Sequence, residues 1–177
     1  MNYKIINVVD IEATCWDEHQ QQGISEIIEI GISQLEIRTG NILRTYSIYV
    51  KPKHSKVSKF CHDLTGITQE YLDKHGTSFP CACDIMEKSF NTRNHVWASY
   101  GNYDKKMFAE QCKKYNIRYP LSYDHINIKT LYTLKNKLNK GISMDKVLEN
   151  MGIPLEGRHH CGRDDAYNTA KILRELI

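Results

Sequence analysis

Lys4-Ile5-Ile6-Asn7-Val8-Val9-Asp10-Ile11-Glu12 is the stretch that decides the fold. Residues 4–11 form a short β-branched run of the kind a central strand buried on both faces requires, and the run ends in an acidic pair. Downstream, Ile28, Ile30 and Ile32 alternate with other residues between Glu26 and Ile37, and Ile42 to Val50 repeats the pattern. Thr39-Gly40-Asn41 between them reads as a hairpin turn. The three opening strands are therefore expected to make an antiparallel meander with the first strand innermost.

From Pro52 to Pro80 periodicity fades, and a short helix is expected only from about Gln69 to Lys74. A connection of that length is a natural place for substrate contacts. Asp84 to Phe90 reads as a helix with Ile85, Met86 and Phe90 inward. Val96 to Tyr100 reads as a fourth strand, followed by helical spacing from Asp104 through Met107, Phe108, Cys112 and Tyr115. His125 to Lys129 gives a fifth strand, and Leu131, Leu134 and Leu138 continue as a helix. Ser143 is an N-cap for a helix burying Met144, Val147, Leu148 and Met151, stopped by Gly152. The last helix is expected near Asp164, burying Ala166, Ala170, Leu173 and Ile177. Meander first and βα units afterwards predict an α/β fold: a five-stranded mixed sheet, with two parallel strands added to the meander, flanked by helices in three layers.

The 177 residues, 41% of them hydrophobic, suit one domain over residues 1–177, large enough to bury a core without disulfide or metal staples. Twenty-four Lys and Arg against 21 Asp and Glu leave a formal net charge of +3. Basic residues gather at Lys51, Lys53, Lys56 and Lys59, at Lys105, Lys106, Lys113, Lys114 and Arg118, and from Lys135 to Lys140. Such runs are compatible with a phosphate-backbone partner and do not by themselves require one. The six cysteines contain no C-x-x-C pair, and Cys81-x-Cys83 has no second ligand pair, so a zinc site is not expected. With no signal-peptide pattern and no apolar run approaching a membrane span, no membrane partner is expected, and free thiols fit a cytoplasmic location.

Asp10-Ile11-Glu12 puts two carboxylates on one face of a strand. Burying that pair needs a counter-charge, and hard oxygen ligands suit magnesium or manganese. Asp104 at the head of one helix, and His159, His160, Asp164 and Asp165 at the head of another, each have an ordinary reading as caps or surface residues. Together they match what two-metal hydrolysis needs: carboxylates from separate elements converging on two cations about 4 Å apart, beside a histidine able to take a proton near neutral pH.

These residues resemble a family. Val9-Asp10-Ile11-Glu12-Ala13-Thr14-Cys15, Tyr100-Gly101-Asn102-Tyr103-Asp104 and His160-Cys161-Gly162-Arg163-Asp164-Asp165-Ala166 are similar to the three motifs of the DEDDh 3′-to-5′ exonucleases of the RNase H-like superfamily. Phe60-Cys61, Leu64-Thr65-Gly66-Ile67-Thr68, Ile126-Asn127-Ile128-Lys129 and Gly157-Arg158 resemble the enhanced-RNAi type of exoribonuclease. The resemblance runs from Val8 to about Leu173 and implies an RNase H-like fold. It implies two Mg2+ or Mn2+ ions per site held by Asp10, Glu12, Asp104 and Asp165, with His160 as general base. It further implies removal of nucleoside 5′-monophosphates from the 3′ end of single-stranded RNA or 3′ overhangs, with Glu12, Ala13, Thr14, Leu64, Thr65 and His160 around the terminal nucleotide.

H-x-x-x-x-D fits both His159 with Asp164 and His160 with Asp165. The second frame is preferred because Ala166 follows Asp165 as in the family pattern. Trp16 either stacks on a base or packs as a rim aromatic, and Cys15, Cys61 and Cys161 read as packing residues. Sequence physics does not separate RNA from DNA, since no residue announces a 2′-hydroxyl contact. A DNA-directed or proofreading-like exonuclease is one alternative, and a catalytically silent nucleic-acid-binding module is another. The full set of carboxylates argues against the silent module. An appended nucleic-acid-binding domain is not expected, so placement on structured RNA would fall to the basic surface or a partner protein. Oligomeric state leaves no signature.

Overall fold

The computed structural model of the chain describes residues 2–17 and 23–177. Among these residues five strands form one mixed sheet in the order β3-β2-β1-β4-β5. β1 (Asn2–Ala13) pairs antiparallel with β2 (Ile27–Glu36), and β2 with β3 (Ile42–Tyr49). β4 (His95–Ser99) pairs parallel with both β1 and β5 (His125–Asn127). The expected meander with its first strand innermost is thus observed, and the acidic end of β1 lies beside the carboxyl end of β4. The Asn41 turn closes on Gly40, whose φ of 71° is the left-handed value a glycine reaches without strain.

Alternation along β1 splits the core. Val9, Ile11 and Ala13 pack against Phe79, Ala82, Met86 and Phe90 of α3 (Phe79–Phe90) and Met107, Phe108 and Cys112 of α4 (Tyr103–Tyr115). Ile6 and Val8 face α5 (Ile128–Lys135), α6 (Met144–Asn150) and α7 (Gly162–Leu176). Asp10 and Glu12 continue the α7 side at the strand end. No helix among the described residues is long and apolar enough to cross a membrane.

Several local expectations are corrected. The connection after β3 carries one helix more than expected, α1 (Lys59–Thr65), ahead of the expected α2 (Gln69–His75). Ser58 caps α1 by accepting from Cys61 N at 3.0 Å, a signal hidden by the seven-residue length of the helix. Cys61, Ile67 and Leu72 of this segment close over Ile28. α3 begins at Phe79 rather than Asp84, because Ser78 supplies its cap. β5 stops at Asn127, whose side chain accepts from Thr130 N and starts α5 two residues before the expected strand end. α5 ends at Lys135, leaving Leu134 70% exposed and Leu138 beyond the helix. α7 starts at Gly162 and buries Leu176, whereas Ile177 is 57% exposed. β2 is buried on both faces, with α7 on one side and α3 and α4 on the other.

Candidate functional site

The site is built at the carboxyl ends of the central strands, where open α/β sheets place their ligands. In register, Asp10 lies opposite Gly31 and Glu12 opposite Glu29. Gly31 has no side chain because α7 rests on it: a Cβ there would lie 1.9 Å from the Gly162 carbonyl oxygen. This contact brings the first turn of α7 against β1, and with it Asp165. Oxygens of Asp10, Glu12 and Asp165 lie within 4.8 Å of one another.

Asp104 arrives from the other layer, on the first turn of α4 after β4. It is not the cap, a place taken by Asn102, and its Oδ1 instead accepts from Ile11 N at 3.0 Å. That bond ties the carboxylate to the strand residue between Asp10 and Glu12. Ser99, fully buried, shares its hydroxyl between Gly101 O at 3.1 Å and His125 Nε2 at 2.9 Å.

The four acids crowd each other. Burial raises Asp10 well above the usual carboxylate range, helped by the charges of Asp104, Asp165 and Glu12. Burial also pushes Glu12 up to about 8, with Asp165, Glu29 and Asp104 adding repulsion and Arg158 opposing it. Asp104 is pushed up to about 6, again mainly by burial. Asp165 is raised by burial against the hydrogen bond from His159. Buried carboxylates that repel one another in this way form an all-oxygen donor set, which suits a hard divalent cation rather than zinc or copper.

Both histidines reach Asp165. His159 Nδ1 lies 3.2 and 3.1 Å from its two oxygens, while His160 donates its backbone N–H to Oδ2 at 2.9 Å. The two rings stack with centroids 4.1 Å apart. His160 has φ of 62°, a left-handed backbone uncommon for a non-glycine residue. Burial, then the neighbouring His159, lowers the His160 imidazole below its usual value. Asp164 points elsewhere, accepting from Arg158 N at 2.9 Å and pairing with Arg163 at 3.0 Å.

Of the residues expected near substrate, Ala13 is buried and Leu64 half-buried. The hydroxyls of Thr14 and Thr65 are spent inside the protein: Thr14 Oγ1 accepts from Glu26 N and bonds Ser55 Oγ, and Thr65 Oγ1 donates to Cys61 O. Neither hydroxyl is left as a free donor. Trp16 is half-buried, with its ring beside Gly23. Sequence reasoning missed three supports. Glu26 accepts from Lys53, His54 and Ser55 and holds that loop. Glu29 lies buried behind the site, and Arg158 donates to the carbonyls of Asp63 and Leu64 at the end of α1. The signal for the first two is the acid pair in Ser25-Glu26-Ile27-Ile28-Glu29, unexpected in a buried strand. A cavity of about 660 Å³ lined by Arg93, Arg118 and Tyr119 lies before the amino ends of β4 and β5, away from the carboxylates.

Comparison with known proteins agrees with this geometry. The exonuclease family profile of the RNase T type matches residues 8–173. Human 3′-5′ exoribonuclease 1 is 33% identical over 185 residues, covering 99% of this chain and 53% of the relative. Human ERI1 exoribonuclease 2 is 29% identical, covering 96% of this chain and 28% of the relative. The chain thus spans about half the length of the first of these relatives or less. Among solved structures, the nuclease domain of 3′hExo, a DEDDh family member bound to rAMP, superposes with a TM-score of 0.88 at 30% identity, covering 98% of this chain and 92% of that one. Dependence on divalent metal goes with this family, and the oxygen-only donor set fits it. The chain belongs to the RNase T exonuclease family, in its DEDDh group.

Proposed function

We propose that this chain is a metal-dependent 3′-to-5′ exoribonuclease domain that acts in the cytoplasm. The observation that carries the reading is the convergence of Asp10, Glu12 and Asp165 within 4.8 Å, with Asp104 tied alongside through Ile11 N. Two Mg2+ or Mn2+ ions would supply Lewis-acid neutralisation of the phosphodiester and of its attacking and leaving oxygens. Asp10, Glu12 and Asp165 would hold them, and Asp104, fixed by its backbone bond, would keep one oxygen facing the cluster. His160 would accept the proton of the nucleophilic water at its imidazole, its place fixed by the backbone bond to Asp165. Arg158, by gripping the carbonyls that end α1, would hold the Leu64–Thr68 loop against the terminal nucleotide.

RNA is favoured over DNA by similarity to 3′hExo bound to rAMP and to a 3′-exonuclease that recognises the histone mRNA stem-loop. The test incubates purified protein with 5′-labelled single-stranded RNA and a matched DNA oligomer, with either cation. A ladder receding from the RNA 3′ end, with nucleoside 5′-monophosphates as product, is expected. DNA degraded equally fast would remove the RNA assignment, and both strands left intact would end the enzymatic reading.

A further inference from the structure

The first turn of α7 leaves backbone N–H groups without intrahelical partners, and its N-cap, Cys161, gives no side-chain oxygen to them. The acceptor comes from the sheet. Glu29 Oε2 accepts from Gly162 N at 3.0 Å and Oε1 from Arg163 N at 3.3 Å, while Ser47 Oγ on β3 donates to Oε1 at 2.5 Å. Glu29 is 1% exposed and directly opposite Glu12 in the ladder. Like charges so placed repel, and a Ser at position 161 would cap the helix without a buried charge. What a local cap would not do is fix the helix to the sheet. Glu29 joins three elements, β2, β3 and α7, at the point where Gly31 lets the helix touch the strand.

We propose that Glu29 is a positioning residue for the carboxylate site: it anchors the start of α7 to β2, so that Asp165, one turn on, meets Asp10 and Glu12 at metal-binding distance. The full negative charge suits the positive end of the helix and holds α7 both along its axis and in rotation. A displacement of either kind carries Asp165 and the His159-His160 turn away from β1 together. The inference deepens the exonuclease reading and rests on it for the catalytic readout, but its central consequence is cation binding.

The test compares wild type with Glu29→Gln, which keeps the shape but sets an amide NH2 against one of the two helix donors. Mn2+ affinity is measured by calorimetry and kcat and KM on single-stranded RNA. Loss of such an outer support typically costs about 10- to 100-fold in metal affinity or activity, so Mn2+ binding and kcat should each fall by about that much with KM nearly unchanged. Val147→Ala, buried in α6, controls for lost stability: it should lower the melting temperature without moving Mn2+ affinity. If Glu29→Gln does not fold, Ser47→Ala, which removes only the hydroxyl that orients the carboxylate, should weaken Mn2+ binding in the same direction. Wild-type Mn2+ affinity in the readable variant overturns the proposal. Wild-type protein that binds Mn2+ but cleaves no RNA ends the nuclease reading alone, and the Glu29 proposal then stands or falls on the calorimetry.

Discussion

Replacing Gly31 by alanine tests the contact that assembles the site. The strand backbone at Gly31 is not left-handed, so alanine suffers no conformational strain there and its effect comes from contact alone. The added Cβ would lie 1.9 Å from Gly162 O, 2.0 Å from Gly162 C and 2.5 Å from Arg163 N. These are backbone atoms with no rotamer to escape into. Restoring ordinary contact at 3.4 Å requires α7 to retreat by about 1.5 Å, which stretches the 3.0 Å bond from Gly162 N to Glu29 beyond hydrogen-bonding range. Overpacking costs about 1–3 kcal/mol and a lost helix cap about 1 kcal/mol. At roughly 2–4 °C per kcal/mol for a chain of this size, Gly31→Ala should melt about 4–16 °C lower. A shift of about 1 Å in a reacting group costs on the order of 100-fold, so exonuclease kcat should fall at least that far at temperatures where the variant stays folded. The assays are thermal unfolding by circular dichroism and single-turnover cleavage of labelled RNA. A melting temperature within about 2 °C of wild type together with unaltered cleavage would refute the helix-on-strand argument.

Further predictions concern charge and the histidines. Burial raises Asp10, Glu12 to about 8 and Asp104 to about 6, and groups raised on folding add stability below their unfolded values and lose it as pH climbs through the folded ones. In EDTA the protein should therefore melt several degrees lower at about pH 8.5 than at about pH 6, and saturating Mg2+ or Mn2+ should remove that fall; a melting temperature level with pH in EDTA contradicts it. His160→Ala should slow cleavage by about 10²- to 10⁴-fold while keeping Mn2+ affinity, and if His159→Ala shows the large loss instead, the other ring is the base. Burial pushes Glu26 up, but donation from His54, Ser55 and Lys53 outweighs it and lowers the carboxyl. Glu26→Gln should thus cost about 1–3 kcal/mol at neutral pH, shrinking as acid protonates the wild-type carboxylate; a pH-independent difference would show that the loop bonds are not what holds it.

β1 was legible because its residues satisfy two demands at once: a β-branched run for burial and acids at the end for chemistry. β4 and α4 were legible from period alone. α1 was not, since seven residues hold too few turns for a period, and only the Ser58 cap marks it. β5 was overextended because Ile126 and Ile128 alternate like a strand, whereas the Asn127 side chain turns the backbone into a helix between them. Asp10, Glu12 and Asp104 stand out by type and position, and resemblance to the family motif selects Asp165 over Asp164; the structure brings Asp10, Glu12 and Asp165 within 4.8 Å and ties Asp104 to Ile11 N. Glu29 and Gly31 escaped, because their meaning depends on what the opposite strand and a helix that starts 133 residues after Glu29 bring to the same spot. A sequence carries no local trace of such a meeting.

The bond between His159 and Asp165 couples two parts of the site. Both oxygens of Asp165 lie within hydrogen-bonding reach of the His159 ring, and one also receives the His160 amide. A carboxylate offers about four lone-pair sites, so the same side chain grips the histidine turn and still presents oxygen toward Asp10 and Glu12. Moving Asp165 therefore disturbs the acid cluster and the paired rings in one stroke.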